Sequence, residues 1–226
     1  MTILVLGRGK TGAVVAEVAR EREHKVRVLS SAQNHSAKAL TDGALRDVNV
    51  VMDFTTPDAV LANVRACVRA GKNVVVGTTG WDEHLQEVRE LVEKSGTGLL
   101  FGANFSIGVN IFYDVARVAA VALKHKYFGE IMERHHAQKK DAPSGTALRL
   151  QKIIEEVSGT ELEIVSFREG EVVGLHEVVL ECASDSIRMA HDAKSRRTFA
   201  EGAVLAAEWL AGKKGFYDFQ DVWREL

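Results

Sequence analysis
A short apolar run, Thr2-Ile3-Leu4-Val5-Leu6, leads directly into Gly7-Arg8-Gly9-Lys10-Thr11-Gly12. Apolar residues then recur at helical spacing over residues 11–22. The run reads as a buried parallel strand, the glycines as a turn, and the periodic segment as a helix packed back on the strand. In that setting G-x-G-x-x-G is a dinucleotide-binding fingerprint. Gly7 permits the tight turn, Gly9 lets the backbone approach a pyrophosphate, and Gly12 allows close helix–strand packing. The helix N-terminus then faces the phosphates. A glycine-rich turn of purely structural use is the alternative reading.

The alternation continues. Strands are expected at 25–29, 49–54, 73–76 and 98–101, with helices after Pro57 and over 82–94. Thr56 stands as N-cap, with Pro57 at the first helical position. This pattern predicts an α/β fold with a Rossmann-type, doubly wound parallel sheet and right-handed crossovers. Ligands of such sheets lie beyond the carboxyl ends of the strands. The stretches 7–12, 54–56, 77–79 and 102–105 all occupy such ends. An NAD fingerprint usually places an acid about 20 residues after the glycines, on the ribose. Here Ser30-Ser31-Ala32-Gln33-Asn34 stands instead, and Arg8 and Lys10 add positive charge to the glycine loop. The expected cofactor is NADPH or NADH, with NADPH modestly favoured. Arg8 and Lys10 as solvated loop residues is the other reading.

After a long expected helix at 107–124 the pattern changes. Strands are expected at 130–136, 162–168, 175–183 and 186–191, with a single helix at 144–157 among them. That predicts a second, α+β domain carrying a mostly antiparallel sheet. A last helix is expected at 198–210, followed by the aromatic tail Phe216-Tyr217-Asp218-Phe219.

Composition narrows the class of protein. A chain of 226 residues can bury one large core or two smaller ones. At a net charge of -2 it is expected to bind neither nucleic acid nor membrane as a general partner. No apolar run approaches a membrane span, and the N-terminus has no signal-peptide pattern. Cys67 and Cys182 read as isolated, reduced core residues, so the expected location is the cytoplasm.

The chemistry concentrates in His135-His136-Ala137-Gln138-Lys139-Lys140-Asp141-Ala142-Pro143-Ser144-Gly145-Thr146-Ala147. Histidine exchanges protons near neutral pH, and lysine offers a compact charge for a carboxylate. Ser144 is an N-cap candidate, so backbone N–H groups near Gly145 and Thr146 can meet an anion. Imidazole, ammonium and helix start converging on one strand end suit protonation of a small anionic substrate. A solvated loop followed by a helix start is the plainer alternative. No metal is expected, since adjacent strand residues face opposite ways.

On these motifs the chain resembles the 4-hydroxy-tetrahydrodipicolinate reductase (dihydrodipicolinate reductase) family of bacterial lysine biosynthesis. The resemblance covers nearly the whole chain. Besides the glycine loop and the 135–147 stretch, it is carried by Asp53-Phe54-Thr55, Gly77-Thr78-Thr79-Gly80 and Asn104-Phe105-Ser106-Ile107-Gly108-Val109-Asn110. Arg196-Arg197-Thr198-Phe199-Ala200 and Gly202-Ala203 add to it. It implies an NAD(P)H-dependent oxidoreductase that reduces 4-hydroxy-tetrahydrodipicolinate, a cyclic dicarboxylate, to tetrahydrodipicolinate in lysine and diaminopimelate biosynthesis. It implies His135 as proton donor/acceptor and Lys139 as second catalytic acid, with His136, Gly145 and Thr146 on the substrate carboxylates. Gly7, Arg8, Gly9, Lys10, Thr11, Gly12, Gly77, Thr78, Thr79, Gly102, Ala103, Asn104 and Phe105 match cofactor contacts. It implies a dinucleotide-binding domain at 1–105, completed by 193–226, and a substrate-binding and oligomerisation domain at 106–192, in a homotetramer. Two features depart from the family. The region after the second strand, where an acid and an arginine often meet the ribose, is trimmed. Lys140 stands where an apolar residue is usual and adds positive charge. Another two-domain dehydrogenase, or a nucleotide-binding redox sensor, would fit the N-terminal half but leave the His-His-x-x-Lys stretch unexplained.

Overall fold
The strand faces of the first unit explain its architecture. In the computed structural model, which describes residues 1–226, Ile3 and Val5 of β1 (Thr2–Leu6) enter one core, while Leu4 and Leu6 enter another. A strand buried on both faces needs helices on both sides. Chain order supplies them: α1 (Lys10–Glu21), β2 (Lys25–Leu29), the one-turn α2 (Asp42–Leu45), β3 (Val50–Asp53), α3 (Pro57–Arg69), β4 (Asn73–Val76), α4 (Leu85–Ser95) and β5 (Gly98–Phe101). Next come α5 (Ile107–Ala119), β6 (Phe128–His135), α6 (Gly145–Ser158), β7 (Glu163–Arg168), β8 (Leu175–Glu181), β9 (Ser186–Asp192), α7 (Arg197–Leu210), β10 (Gly215–Asp218) and the one-turn α8 (Phe219–Val222).

The chain divides into two compact units, residues 1–107 with 196–226, and residues 108–195. In the first, six strands lie in the order β10-β5-β4-β3-β1-β2, all parallel. Val15, Ala19, Ala203, Val204 and Ala207 of α1 and α7 share a core with Ile3 and Val5. Val60, Val64, Val88 and Val92 of α3 and α4 pack with Leu4 and Leu6 on the other face. Each fully buried Val or Leu contributes about 1.5–3 kcal/mol. This is the doubly wound parallel sheet that the strand–helix alternation predicts.

The tail is more regular than its aromatic composition suggests. Gly215–Asp218 forms the sixth strand, paired in register with Gly98–Phe101. Phe216 packs tilted against Phe101 at 5.1 Å, and Tyr217 meets Trp209 edge-on at 5.0 Å. Asn73 ties this return to the sheet, donating to the carbonyls of Leu210 (2.8 Å) and Lys213 (2.9 Å) and accepting from Gly98 N–H (2.7 Å). The two cysteines part company. Cys67 is in the core, where burial pushes its thiol up to about 12. Cys182, expected in the core, is partly exposed in the turn after β8, where its sulfur lies 3.2 Å from Asp185.

The second unit has the strand order β7-β6-β8-β9. β6–β8 and β8–β9 are antiparallel, while β6 and β7 are parallel and joined through α6. The sheet is thus mostly antiparallel, as expected of an α+β unit. Ile131, Val178 and Leu180 point to the face covered by Phe112, Tyr113 and Ala116 of α5 and Leu150, Ile153 and Ile154 of α6. Ser144 caps α6, its Oγ accepting from Ala147 N–H at 3.2 Å. Gly159, with φ 75°, ends the helix.

Candidate active site
Four loops of the first unit leave the carboxyl ends of β1, β3, β4 and β5. They carry Gly7 to Gly12, Phe54 to Thr56, Gly77 to Thr79, and Gly102 to Phe105. Gly7 adopts φ +100°, and a Cβ there would sit 2.1 Å from the Phe54 carbonyl oxygen. Gly9 differs: it is the N-cap of α1, has no side-chain capping bond, and nothing lies within 4 Å of where its Cβ would be. Arg8, Gly9 and Lys10 are exposed, with Thr11 half-buried and Gly12 buried. Gly7 therefore builds the turn, and Gly9 leaves a clear approach to helix-start N–H groups. That fits a pyrophosphate.

Beneath these loops lies Asp53, fully buried at the end of β3. Its Oδ1 accepts from Thr55 N–H (3.0 Å), Thr55 Oγ1 (2.6 Å) and Thr78 Oγ1 (3.1 Å), and its Oδ2 from Asn63 Nδ2 (2.8 Å). Asn34 in turn donates to Asn63 at 2.9 Å. One carboxylate thus links the loops after β2, β3 and β4. Burial raises the Asp53 carboxyl above its usual range, and these neutral donors only partly offset that. Thr79 and Ala103 are exposed and Asn104 half-buried, while Gly102 and Phe105 are buried, Phe105 packing on Phe219 at 4.7 Å. After β2, Gln33 folds back to accept from Ser30 N–H and Oγ, each at 3.0 Å.

The second unit holds the His–Lys stretch. Because strand side chains alternate, Glu133 and His135 share the covered face of β6, and β8 places His176 beside them. The His135 and His176 rings meet edge-on at 5.1 Å. His135 Nδ1 lies 2.5 Å from Glu133 Oε2, a short contact that is bent away from hydrogen-bond geometry. Arg168 Nη2 donates to Glu133 Oε1 at 2.7 Å, and Ser144 N–H reaches the same oxygen at 3.3 Å. Burial opposes the Glu133 charge, yet Arg168 above all, then Ser166, His135 and Ser144, overcome it and hold the carboxyl at about 2. Burial lowers His135 below the usual histidine range, with Glu133 pulling the other way. His176 is pushed down to about 3, mainly by burial, so Ser144 Oγ can donate to its neutral Nε2 at 3.1 Å.

Lys139 is held by both oxygens of Asp141, each at 2.7 Å. His136 and Thr146 are half-buried, and Gly145 and Lys140 exposed. Tyr113 hydrogen-bonds Thr146, and burial raises its hydroxyl to about 12. The structure brings His135 to the end of β6 and Gly145 to the start of α6, with Lys139 on the loop between them. Sequence reasoning missed Glu133, Arg168 and His176 as parts of this cluster. The i, i+2 spacing of Glu133 and His135 was a readable signal. Arg168 and His176 arrive through strand pairing, which no local pattern encodes.

Glu133, His135 and His176 offer ligand atoms within 4.8 Å of one another, a grouping the adjacent-residue argument against a metal did not foresee. The 2.5 Å Nδ1–Oε2 contact is closer than two ligands on one ion sit when each bond is about 2.0–2.1 Å at a tetrahedral centre. Arg168 also neutralises the same carboxylate. The geometry is that of an ion-pair network.

Comparison with known proteins shows the family. Family models described as dihydrodipicolinate reductase, N-terminus and C-terminus, match residues 1–105 and 108–223. The chain belongs to the dihydrodipicolinate reductase family. It is therefore an oxidoreductase with a nucleotide-binding first unit. The C-terminal family model runs on into α7 and β10, which pack in the first unit. A 4-hydroxy-tetrahydrodipicolinate reductase of Christiangramia forsetii is 35% identical over 242 residues, covering 100% of this chain and 99% of that protein. Its counterpart in Neisseria meningitidis serogroup A is 35% identical over 255 residues, covering 95% and 93%. The solved dipicolinate-bound dihydrodipicolinate reductase from Paenisporosarcina sp. TG-14 shares the fold, with a TM-score of 0.78 at 24% identity and 98% and 99% coverage. No helix is long and apolar enough to cross a membrane.

Proposed function
We propose that this protein reduces 4-hydroxy-tetrahydrodipicolinate to tetrahydrodipicolinate with NADPH or NADH, in lysine and diaminopimelate biosynthesis. The observation that carries this reading is the gathering of His135, Lys139 and the α6 start at one end of the second sheet, in a chain of this family. Residues 1–105, completed by 193–226, bind the dinucleotide, and residues 106–192 bind substrate and form the oligomer contacts. Gly7 to Gly12 hold the pyrophosphate, and Gly77, Thr78, Thr79 and Gly102 to Phe105 line the rest of the cofactor's path. Bound there, the dihydronicotinamide would supply the hydride. His135 delivers the proton, and Lys139 acts as the second acid. His136 and the N–H groups and hydroxyl of Gly145 and Thr146 hold the substrate carboxylates. Hydride and proton are added, and the 4-hydroxyl leaves as water. No metal enters this scheme.

Asp141 takes two of the three N–H donors of Lys139, which leaves the third for substrate. Large exposed apolar side chains support an assembly through the second unit: Phe128 (65%) and Phe167 (40%) stand on the uncovered face of its sheet. Such a surface is usually an interface, and we assign a homotetramer of closed symmetry. Two unpaired cysteines support a cytoplasmic location. The test is a coupled assay that makes the unstable substrate in place from pyruvate and aspartate semialdehyde. Reduced nicotinamide should be consumed only when both precursors and their condensing enzyme are present. Oxidation that ignores the cyclic substrate, or none at all, overturns the reading. Light scattering that shows a monomer at micromolar concentration overturns the assembly.

A further inference from the structure
Glu133 is 1% exposed. A carboxylate buried so deeply is strongly disfavoured unless its charge is met. Arg168 meets it, and the same Nη2 that donates to Glu133 Oε1 also donates to the Asp141 carbonyl at 2.6 Å. Nη1 anchors the guanidinium on the Phe167 carbonyl at 2.7 Å. From this one group two lines run outward. One passes through Glu133 Oε2 to His135 Nδ1, 2.5 Å away. The other passes through Asp141 to Lys139 Nζ, 2.7 Å from each carboxylate oxygen.

The far edge of the imidazole lies beside Gly174. A Cβ at Gly174 would lie 3.1 Å from His135 Nε2. Any side chain at that position would cover the nitrogen, so glycine leaves it approachable. We propose that Glu133 and Arg168 form a positioning pair for proton delivery. The Glu133 charge, 2.5 Å from Nδ1, favours the neutral His135 tautomer that carries its proton on that nitrogen. Nε2, beside Gly174, takes up a proton from solvent and passes it to substrate, and the imidazole returns to the same tautomer. Arg168 keeps Glu133 ionised and holds the Lys139 loop through Asp141. Neither residue touches the reacting atoms; both act through His135 and Lys139. The proposal rests on the assignment of proton delivery to His135 made above.

The charged and titratable groups facing His135 are Glu133 on β6, Lys139 on the loop, Arg168 on β7 and His176 on β8. Of these only Glu133 favours the imidazolium. Glu133→Gln should therefore move the His135 titration to lower pH, read by imidazole nitrogen NMR on the full chain without substrate. The limb of the kcat–pH profile that reports His135 should move with it. Turnover should fall about 10–100-fold, the usual cost of losing a residue that orients an active group, with the KM for cofactor unchanged. Added to His135→Gln, Glu133→Gln should cost nothing further, because it acts through the imidazole. Arg168→Lys, which keeps the cation but loses the two-way fork, should fold and lower kcat less than Arg168→Met.

A folded Glu133→Gln whose His135 titration is unchanged overturns the proposal. So does a full, additive loss in the double variant. If Glu133→Gln does not fold, Glu133→Asp takes its place, and a wild-type imidazole titration and kcat there count against the proposal equally. Normal turnover by His135→Gln would overturn the assignment beneath it, and the two failures differ because only the first leaves His135→Gln impaired.

Discussion
Asp53 and Glu133 are both carboxylates with almost no exposed surface, 0% and 1%, one in each unit. Asp53 receives only neutral donors from Thr55, Thr78 and Asn63, and its carboxyl is raised. Glu133 faces a guanidinium and is held at about 2. Neutral hydrogen bonds satisfy lone pairs, but they do not repay the loss of water around a full charge, whereas an opposite charge does. The difference matches what each unit handles. The first presents backbone N–H groups and small residues to a cofactor and needs its acid only as a brace. In the function we propose, the second keeps His135 ready to pass on a proton, and the fixed charge of Glu133 beside it serves that role.

The contrast is broken most directly at the chemistry. His135→Gln and Lys139→Ala should each lower kcat by about 10²–10⁴-fold, as expected for loss of a general acid. Cofactor affinity should barely change in either, since both residues lie in the second unit; a calorimetric Kd for cofactor that weakens in step with kcat would dissolve the division of labour.

Next in size is a pair within the glycine loop. Gly7→Ala forces a side chain into a left-handed conformation against the Phe54 carbonyl, and should cost about 3–5 kcal/mol of stability from strain and overlap. Gly9→Ala has free space around it, so urea unfolding should move by only about 0.5 kcal/mol while cofactor affinity drops. Equal destabilisation by both would mean that Gly9 serves the fold and not the ligand.

Acid should sort the two units by sign. Glu133 is lowered from 4.5 to about 2, so its stabilisation is complete above the unfolded value and is lost as pH falls toward 2. His176 is lowered from 6.5 to about 3; the unfolded chain takes up that proton first, so stability also falls from pH 6.5 toward 3. Asp53 is raised above 3.8, and its effect is opposite, since the native state binds the proton first and acidification relieves a buried charge. Hydrogen exchange followed from pH 7 downward should show the second sheet losing protection before the first. His176→Asn should remove the upper part of that loss, and protection lost first around β3 would contradict the charge assignments.

The smallest effect concerns cofactor choice. Lys10 is exposed, and exposed ion pairs contribute only about 0–1 kcal/mol. We expect both cofactors to work, with NADPH favoured several-fold and the preference shrinking at high salt. Lys10→Ala should raise KM for NADPH more than for NADH; an equal rise would assign the lysine to the pyrophosphate, and a wild-type preference for NADH would overturn the charge argument.

Much of this molecule is legible along the chain because its signals are local. The glycine turn, the period of α1, the double-faced apolar strands and the Ser144 cap of α6 each depend on residues within one or two turns of each other. Family-level motifs are equally local, so His135 and Lys139 stand out before any folding is considered. Other features depend on register. The tail becomes a strand by pairing in parallel with β5, with Phe101 and Trp209 packed against it. Arg168 finds Glu133 because β7 pairs with β6 in parallel, setting Arg168 opposite His135. His176 arrives from the antiparallel neighbour β8, opposite Glu133. By itself the sequence determined the elements and the groups able to carry a proton. Tertiary structure alone decided which charge stands beside which, because the cost of burying an ion depends on neighbours that are distant in sequence and a few ångströms away in space.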